Sequence, residues 1–476
     1  MNPLPRLTLL LAAAAFLASN GPLQASGFQL REQSPSAQGN AFAGVSARGF
    51  DIGSMYFNPA TLTAFDGFQV VTGLSFVAPV AELSGATATR ATLGGPLAPF
   101  GGTTIAGAAS HGDAANNAIL PNLYAMWSVS KDFKLGLSVN APFGLVTDYD
   151  ADFIGRYHAL KSDLKTVDVA VNAAYRVHPK FSVGASLVYR TVEAELSNAV
   201  DMGQIAFLGL ASSTNPVYPS SIWLPFSPTA ASFDGKATIQ GDTHVLGYKA
   251  GLTFQPTEAF TLGLSYHGAT KPKVEGTVTY RYPTDVPVAS QPYFNAVVNG
   301  AHLVDGGATA EVELPDTLSL GLAWDVTPTL ALALEASRTG WSSFKELRVA
   351  FDSGQADSVT HENWRDTWYC ALGATWKLSE ALSLRAGVAT DQGAVKEVYR
   401  TPRIPDGDRT WFSTGLGYRL SDRLTFDVAY THILVKDGKL ALQAGTPGNP
   451  DFFRGDLTGT YRNRINILAA SLRMSF

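Results

Sequence analysis

The sequence predicts an all-β protein: a transmembrane antiparallel β-barrel of about 14 strands, with a small N-terminal hatch plugging its lumen. Three observations predict it. Apolar residues alternate with small or polar ones through most of the chain, short turns and long polar loops succeed each other, and the chain ends on an aromatic residue in phase with its last strand. Composition agrees. At 476 residues, 46% apolar and 16% charged with one Cys, the chain is too apolar to be disordered and too poor in thiols for a disulfide scaffold. After residue 17 no apolar run approaches the roughly 20 residues of a membrane helix, which excludes a helical membrane protein. A formal net charge of -5 without a Lys/Arg cluster leaves no electrostatic footprint for a nucleic-acid partner.

Residues 1–25 read as a secretory signal peptide. Arg6 precedes an apolar run from Leu7 to Leu17, too short to span a bilayer as helix, and Ala25 is a small residue at the cut. The mature chain is expected to begin at Ser26 or Gly27. Residues 26–66 are the predicted hatch: Gly27 to Phe65 alternates poorly, and Gly39, Gly44, Gly49 and Gly53 interrupt any long helix.

Residues 67–476 are the predicted barrel. Phe133, Leu135, Leu137 and Val139 oppose Lys134, Gly136, Ser138 and Asn140; Phe181 to Arg190, Leu318 to Asp325 and Leu424 to Tyr430 repeat the period of two. Short turns near residues 130–132, 177–180, 255–258, 326–328, 378–380 and 420–422 alternate with long loops near 82–118, 145–163, 197–235 and 283–306. That asymmetry is bacterial and transmembrane, since a soluble sandwich has no reason for it. Leu468, Ala470, Leu472, Met474 and Phe476 place a terminal aromatic on the lipid face, resembling the signal read by barrel-assembly machinery. Trp324, Trp341, Trp364, Trp368, Trp376 and Trp411 are expected in interfacial girdles. Cys370, in phase with Trp368 and Leu372, is expected to face lipid.

Gly27-Phe28-Gln29-Leu30 with Glu32-Gln33-Ser34, then Asn58-Pro59-Ala60 before the first strand, resembles the long-chain fatty acid transporter family of outer membrane proteins, the FadL and TodX group. Further matches are Ala141-Pro142-Phe143-Gly144-Leu145, Gly155-Arg156-Tyr157, Leu314-Pro315, Gly340-Trp341-Ser342-Ser343-Phe344, and Ile404-Pro405-Asp406 through Asp408-Arg409-Thr410-Trp411. The resemblance implies a 14-stranded monomeric barrel in the outer membrane of a Gram-negative bacterium, surrounded by lipid and lipopolysaccharide. It also implies a kinked third strand that opens a lateral gap at Pro142, Phe143 and Gly144. Proline lacks a ladder donor and Gly144 tolerates irregular backbone, so a break there has its own physical cause. Phe28 and Asn58-Pro59-Ala60 would be the gate facing the gap.

The function so implied is passive uptake of long-chain fatty acids or other hydrophobic compounds with lateral exit, or else a channel dedicated to neutral or aromatic hydrocarbons. No cofactor or metal is called for. Phe207, Leu208, Trp223, Leu224 and Phe226 lie in one long loop, as a capture surface for ligand or as packing between loops. Family positions expected to be basic fall near Leu196 and Thr360, and neither is charged. Arg190, His361 and Arg365 are the candidates to replace them or merely line a polar lumen; Asp391 is placed to meet the new amino terminus or be solvated. A barrel phospholipase or a general porin would lack the hatch, and no hydrolase motif or His-ligand spacing is present.

Overall fold

The computed structural model describes residues 27–214, 217–229 and 232–476; the expected signal peptide lies outside them. Its 21 strand segments form one antiparallel sheet that closes on itself. They join end to end into 14 strands, the short segment His111–Asp113 pairing with the first strand beyond the end of the second. These are β1 (Phe68–Thr89), β2 (Ala118–Ser128), β3 (Phe133–Asn140 and Gly144–Asp148), β4 (Lys161–His178), β5 (Phe181–Asp201), β6 (Asp234–Thr257) and β7 (Phe260–His267 and Lys273–Arg281). The second half is β8 (Gly306–Glu311 and Thr317–Asp325), β9 (Leu330–Thr339 and Glu346–Phe351), β10 (Ser358–His361 and Thr367–Lys377), β11 (Leu382–Asp391), β12 (Arg409–Ser421), β13 (Leu424–Val435 and Gly438–Leu442) and β14 (Asp456–Ser475). β1 pairs with β2 on one side and β14 on the other, which closes the cylinder and leaves no edge.

Alternation does what the sequence requires. Leu74, Leu187, Leu246, Leu320 and Leu468 stand exposed on the outer wall, while Ser75, Ser138, Ser186 and Asn172 are buried inside. An outer wall that apolar is matched by lipid and by no aqueous solvent. Each expected short turn joins the predicted pair of strands, as at Ser128 to Phe133 and Ser421 to Leu424. β6 runs for 24 residues, well beyond the roughly 10 that cross a membrane, so the barrel wall projects above the lipid on the long-loop side.

Cys370 is half-buried on the same face as the exposed Trp368. The tryptophan expectation needs correction. Trp368 and Trp376 face outward, but Trp341, Trp364 and Trp411 are fully buried in the interior. Trp411 shares its phase with Ser413 and Gly415, whereas Phe412 takes the lipid side. Trp341 and Trp364 sit in interruptions of β9 and β10, where the period of two no longer assigns a face.

Residues 27–66 fold inside the wall with three short helical pieces, α1 (Pro35–Gln38) and two 3-10 helices at Ile52–Tyr56 and Pro59–Ala64. Each starts on a side-chain cap, from Ser34, Asp51 and Asn58. The polar phase of the strands carries glycine where this segment passes. A Cβ at Gly321 would stand 2.7 Å from the Ala47 amide, and one at Gly184, Gly251 or Gly387 would overlap Ala60, Asn58 or Asn40. The inward glycines are therefore a seat, cut to let the segment's backbone, and at Gly251 the Asn58 carboxamide, lie against the strands. Gly251→Val should unseat the segment at an overpacking cost of about 1–3 kcal/mol. The readouts are a lower thermal unfolding transition and a higher ion conductance across planar bilayers; both unchanged would contradict the seat.

Candidate functional site

The site begins with the break in β3. Its pairing with β4 runs from Phe133 to Asn140, stops, and resumes at Gly144. On the other side, pairing with β2 ends at Leu123 opposite Val139, so residues 118–122 of β2 face no β3 partner. One bridge, Ala115 to Thr147, rejoins the two chains above the gap. Unpaired backbone at lipid depth costs several kcal/mol per group, and here the N-terminal segment supplies the partners. The Leu30 amide donates to Pro142 O at 2.8 Å and the Gly144 amide to Phe28 O at 3.0 Å. The Gln33 carboxamide serves both groups of Ala141, with Nε2 donating to its O at 2.7 Å and Oε1 accepting from its N at 3.2 Å. The Phe143 amide donates to Thr166 Oγ1 at 2.9 Å. Gln29 lies opposite Phe143 as an antiparallel bridge pair.

Phe28, at the head of this added strand, sits in an aromatic box. Trp341 is 4.8 Å away by ring centroids, Trp364 5.6 Å, and Phe143 and Phe344 6.1 Å each. Every wall of the box comes from an interruption: Phe143 from that in β3, Trp341 and Phe344 from β9, Trp364 from β10. Breaking a strand is what turns a large ring inward here. Phe28, together with Leu145, Leu164 and Ile404, lines two neighbouring cavities. Below the long loops is a narrow apolar slot of 80 Å³ lined by Leu145, Leu164, Leu196, Ile239, Val274 and Leu347, with Phe28 in its wall. The other is a cavity of 560 Å³ in the β2/β3 gap, lined by Ile119, Pro121, Ala141, Gly144 and Ile465, again with Phe28.

The remaining candidates separate under this geometry. Asn58, Pro59 and Ala60 line neither cavity; they are buried against Gly184 and Gly251, and Asn58 Nδ2 donates to Ser46 O at 2.6 Å and Leu252 O at 3.0 Å. Their place is anchoring the segment, away from the gap. Arg190 is clamped to Asp168 at 2.7 and 2.9 Å and donates to Thr270 Oγ1, so its charge is spent within the wall. Arg365 donates to Gly393 O at 2.9 Å, and His361 stands half exposed 3.8 Å from Glu346. Asp391 is buried within electrostatic reach of Glu32 and Arg409. At the start of the described chain the Gly27 amide donates to Asp406 Oδ2 at 3.0 Å, while Arg409 bridges Asp406 and Gly27 O.

The loop surface is also revised. Phe207, in α2 (Met202–Ala211), and Phe226 are fully buried, packed with Phe294 of α4 (Gln291–Gly300) into a core between loops. Leu208 and Trp223, the latter closing α3 (Ser220–Trp223), are half-buried, and Leu224 is exposed. Sequence reasoning missed Arg403. It lies in the connection between β11 and β12, buried at the edge of the slot, and burial lowers its pKa to about 10, so it stays charged at neutral pH. Its partners are Lys161 O, Ser162 Oγ, Ser197 O and Asn198 Oδ1, all neutral.

Known proteins share this architecture. The family described as outer membrane protein transport protein (OMPP1/FadL/TodX) matches residues 15–476. The chain belongs to that family. Outer membrane protein P1 of Haemophilus influenzae is 30% identical over 98% of both chains. The long-chain fatty acid transport protein of Escherichia coli K12 is 27% identical over 89% of this chain and 91% of its own. Among solved structures, a FadL homologue of Pseudomonas aeruginosa superposes with a TM-score of 0.81 at 23% identity, covering 95% of this chain and all of the other. The toluene transporter TodX of Pseudomonas putida gives 0.64 at 17%, over 95% and 100%. The protein is accordingly a multi-pass β-barrel of the Gram-negative outer membrane that transports hydrophobic compounds.

Within this FadL/TodX family member, Gln33 is the residue whose role the sequence does not announce. Gln33→Leu keeps the volume and removes both hydrogen bonds to Ala141, at about 1–3 kcal/mol for each group left unpaired. The amides of residues 141–144 should then exchange with solvent markedly faster; wild-type protection would show that the carboxamide is dispensable.

Proposed function

We propose that this barrel carries long-chain fatty acids and kindred hydrophobic compounds passively into the outer membrane, with lateral exit through the β2/β3 gap. The observation that carries the reading is that Phe28 stands in the walls of both the apolar slot and the gap cavity. Ligand is captured at the half-buried Trp223 and Leu208 and the exposed Leu224, enters the slot, and displaces the segment led by Phe28. It then leaves sideways past Pro142, Phe143 and Gly144. Partitioning down a gradient supplies the direction, and no energy source is needed. A fatty acid is favoured over a neutral hydrocarbon because Arg403 brings a buried positive charge to the slot that no carboxylate of the described chain neutralises by an ion pair.

A reversible lock tests this reading. Gln29 and Phe143 form the antiparallel pair flanked by, and not making, the two ladder hydrogen bonds, where Cβ atoms approach closely enough for a disulfide. In a Cys370→Ser background, Gln29→Cys with Phe143→Cys should stop oleate uptake when oxidised and restore it on reduction. Uptake by the oxidised protein at the reduced rate would remove the lateral route. Running toluene beside oleate separates the two ligand classes: uptake of toluene alone would favour the hydrocarbon channel.

A further inference from the structure

Beside the slot, on the long-loop side, lies a second cavity of a different character. It measures 310 Å³ and is lined by His158, Thr360, Thr401, Gln443 and Arg454, with Arg403 forming part of both walls. Arg454 is neutralised by Asp451 at 2.7 Å. Arg403 is not: its four hydrogen bonds all go to neutral oxygens, and Glu362, which also lines the slot, acts on it only at a distance while accepting from Trp364 Nε1 at 2.7 Å. Arg403 is thus the one guanidinium of the chamber without an ion pair among the described residues; His361, which also lines it, stands 3.8 Å from Glu346. His158 adds no charge, because burial lowers its pKa to about 4 and its Nε2 contacts Gly455 O. The Thr401 hydroxyl is buried with no hydrogen-bond partner among the described residues.

Buried cations and hydroxyls without partners are costly unless something meets them. A carboxylate would satisfy Arg403 and leave most of the chamber, and Thr401, unmet. We propose that the chamber binds the head group of a single-chain amphiphile, a singly charged phosphodiester bearing a polyol, while its acyl chain lies in the slot. The single negative charge matches the single free guanidinium, and the polyol hydroxyls match the Thr and Gln side chains around it. This inference rests on the reading of the slot as an acyl-chain site.

The test holds the tail constant. Purified full-length mature protein in amphipol is titrated with laurate, monolauroylglycerol and lauroyl-lysophosphatidylglycerol, and with glycerophosphoglycerol, which has no tail. The lysophospholipid should bind about tenfold or more tighter than laurate, the scale of added hydrogen bonds to a charged group. Arg403→Gln should abolish that preference, and the milder Thr401→Val should reduce it. Laurate binding as tightly as the lysophospholipid, or a preference that survives both substitutions, would overturn the proposal while leaving the slot in place. Glycerophosphoglycerol binding as well as the lysophospholipid would overturn it too, since the site would then take soluble phosphodiesters. If no lauroyl compound binds, the acyl-chain reading of the slot fails instead.

Discussion

The structure depends on one constraint: a strand that is broken inside a membrane wall must have its backbone hydrogen bonds completed by something. In β3 that something is a short run of the N-terminal segment. Phe28 and Leu30 extend the ladder where Pro142 cannot donate, and the Gln33 side chain imitates a neighbouring strand for Ala141. The gap and the segment that fills it are therefore a single device. The main chain of the N-terminal segment closes the hole, and the proposed lateral route requires those hydrogen bonds to be given up.

Movement of the whole hatch is opposed by how it is seated. Asn40, Ser46, Asn58 and Ala60 lie on inward glycines of several strands, and Asn58 bonds to the carbonyls of both Ser46 and Leu252. The part ahead of α1 is held differently, by Phe28 in its aromatic box, by the ladder bonds, and by Asp406 with Arg409 at Gly27. The same connection that carries Asp406 carries Arg403 and Ile404, so the slot, the gap and the start of the hatch share one piece of chain.

Much of the architecture was legible in the sequence because the barrel obeys a period of two almost everywhere. The turns, the phase of Leu135 and Leu137, and the break at Pro142 all follow from local pattern. What escaped lies where pattern stops. Trp341 and Trp364 occupy interruptions and are turned inward, while Trp411 sits in the phase of Ser413 and Gly415, a signal that was available. Gly136, Gly184 and Gly321 were legible as inward residues, but their purpose shows only once residues 27–66 are laid against them. Arg403 belongs to no periodic element, and Phe207 and Phe226 are buried by loops distant in sequence, so nothing nearby marks any of them.

The central claim is that the slot and the gap form one route that turns aside at Phe28. Crystals of the protein soaked with a fatty acid brominated along its chain would show that route directly through anomalous scattering. The account predicts bromine peaks in the slot between Leu196 and Val274 and in the gap between Ile119 and Gly144. Peaks running instead down the barrel axis past residues 37–64 toward the short turns would contradict it.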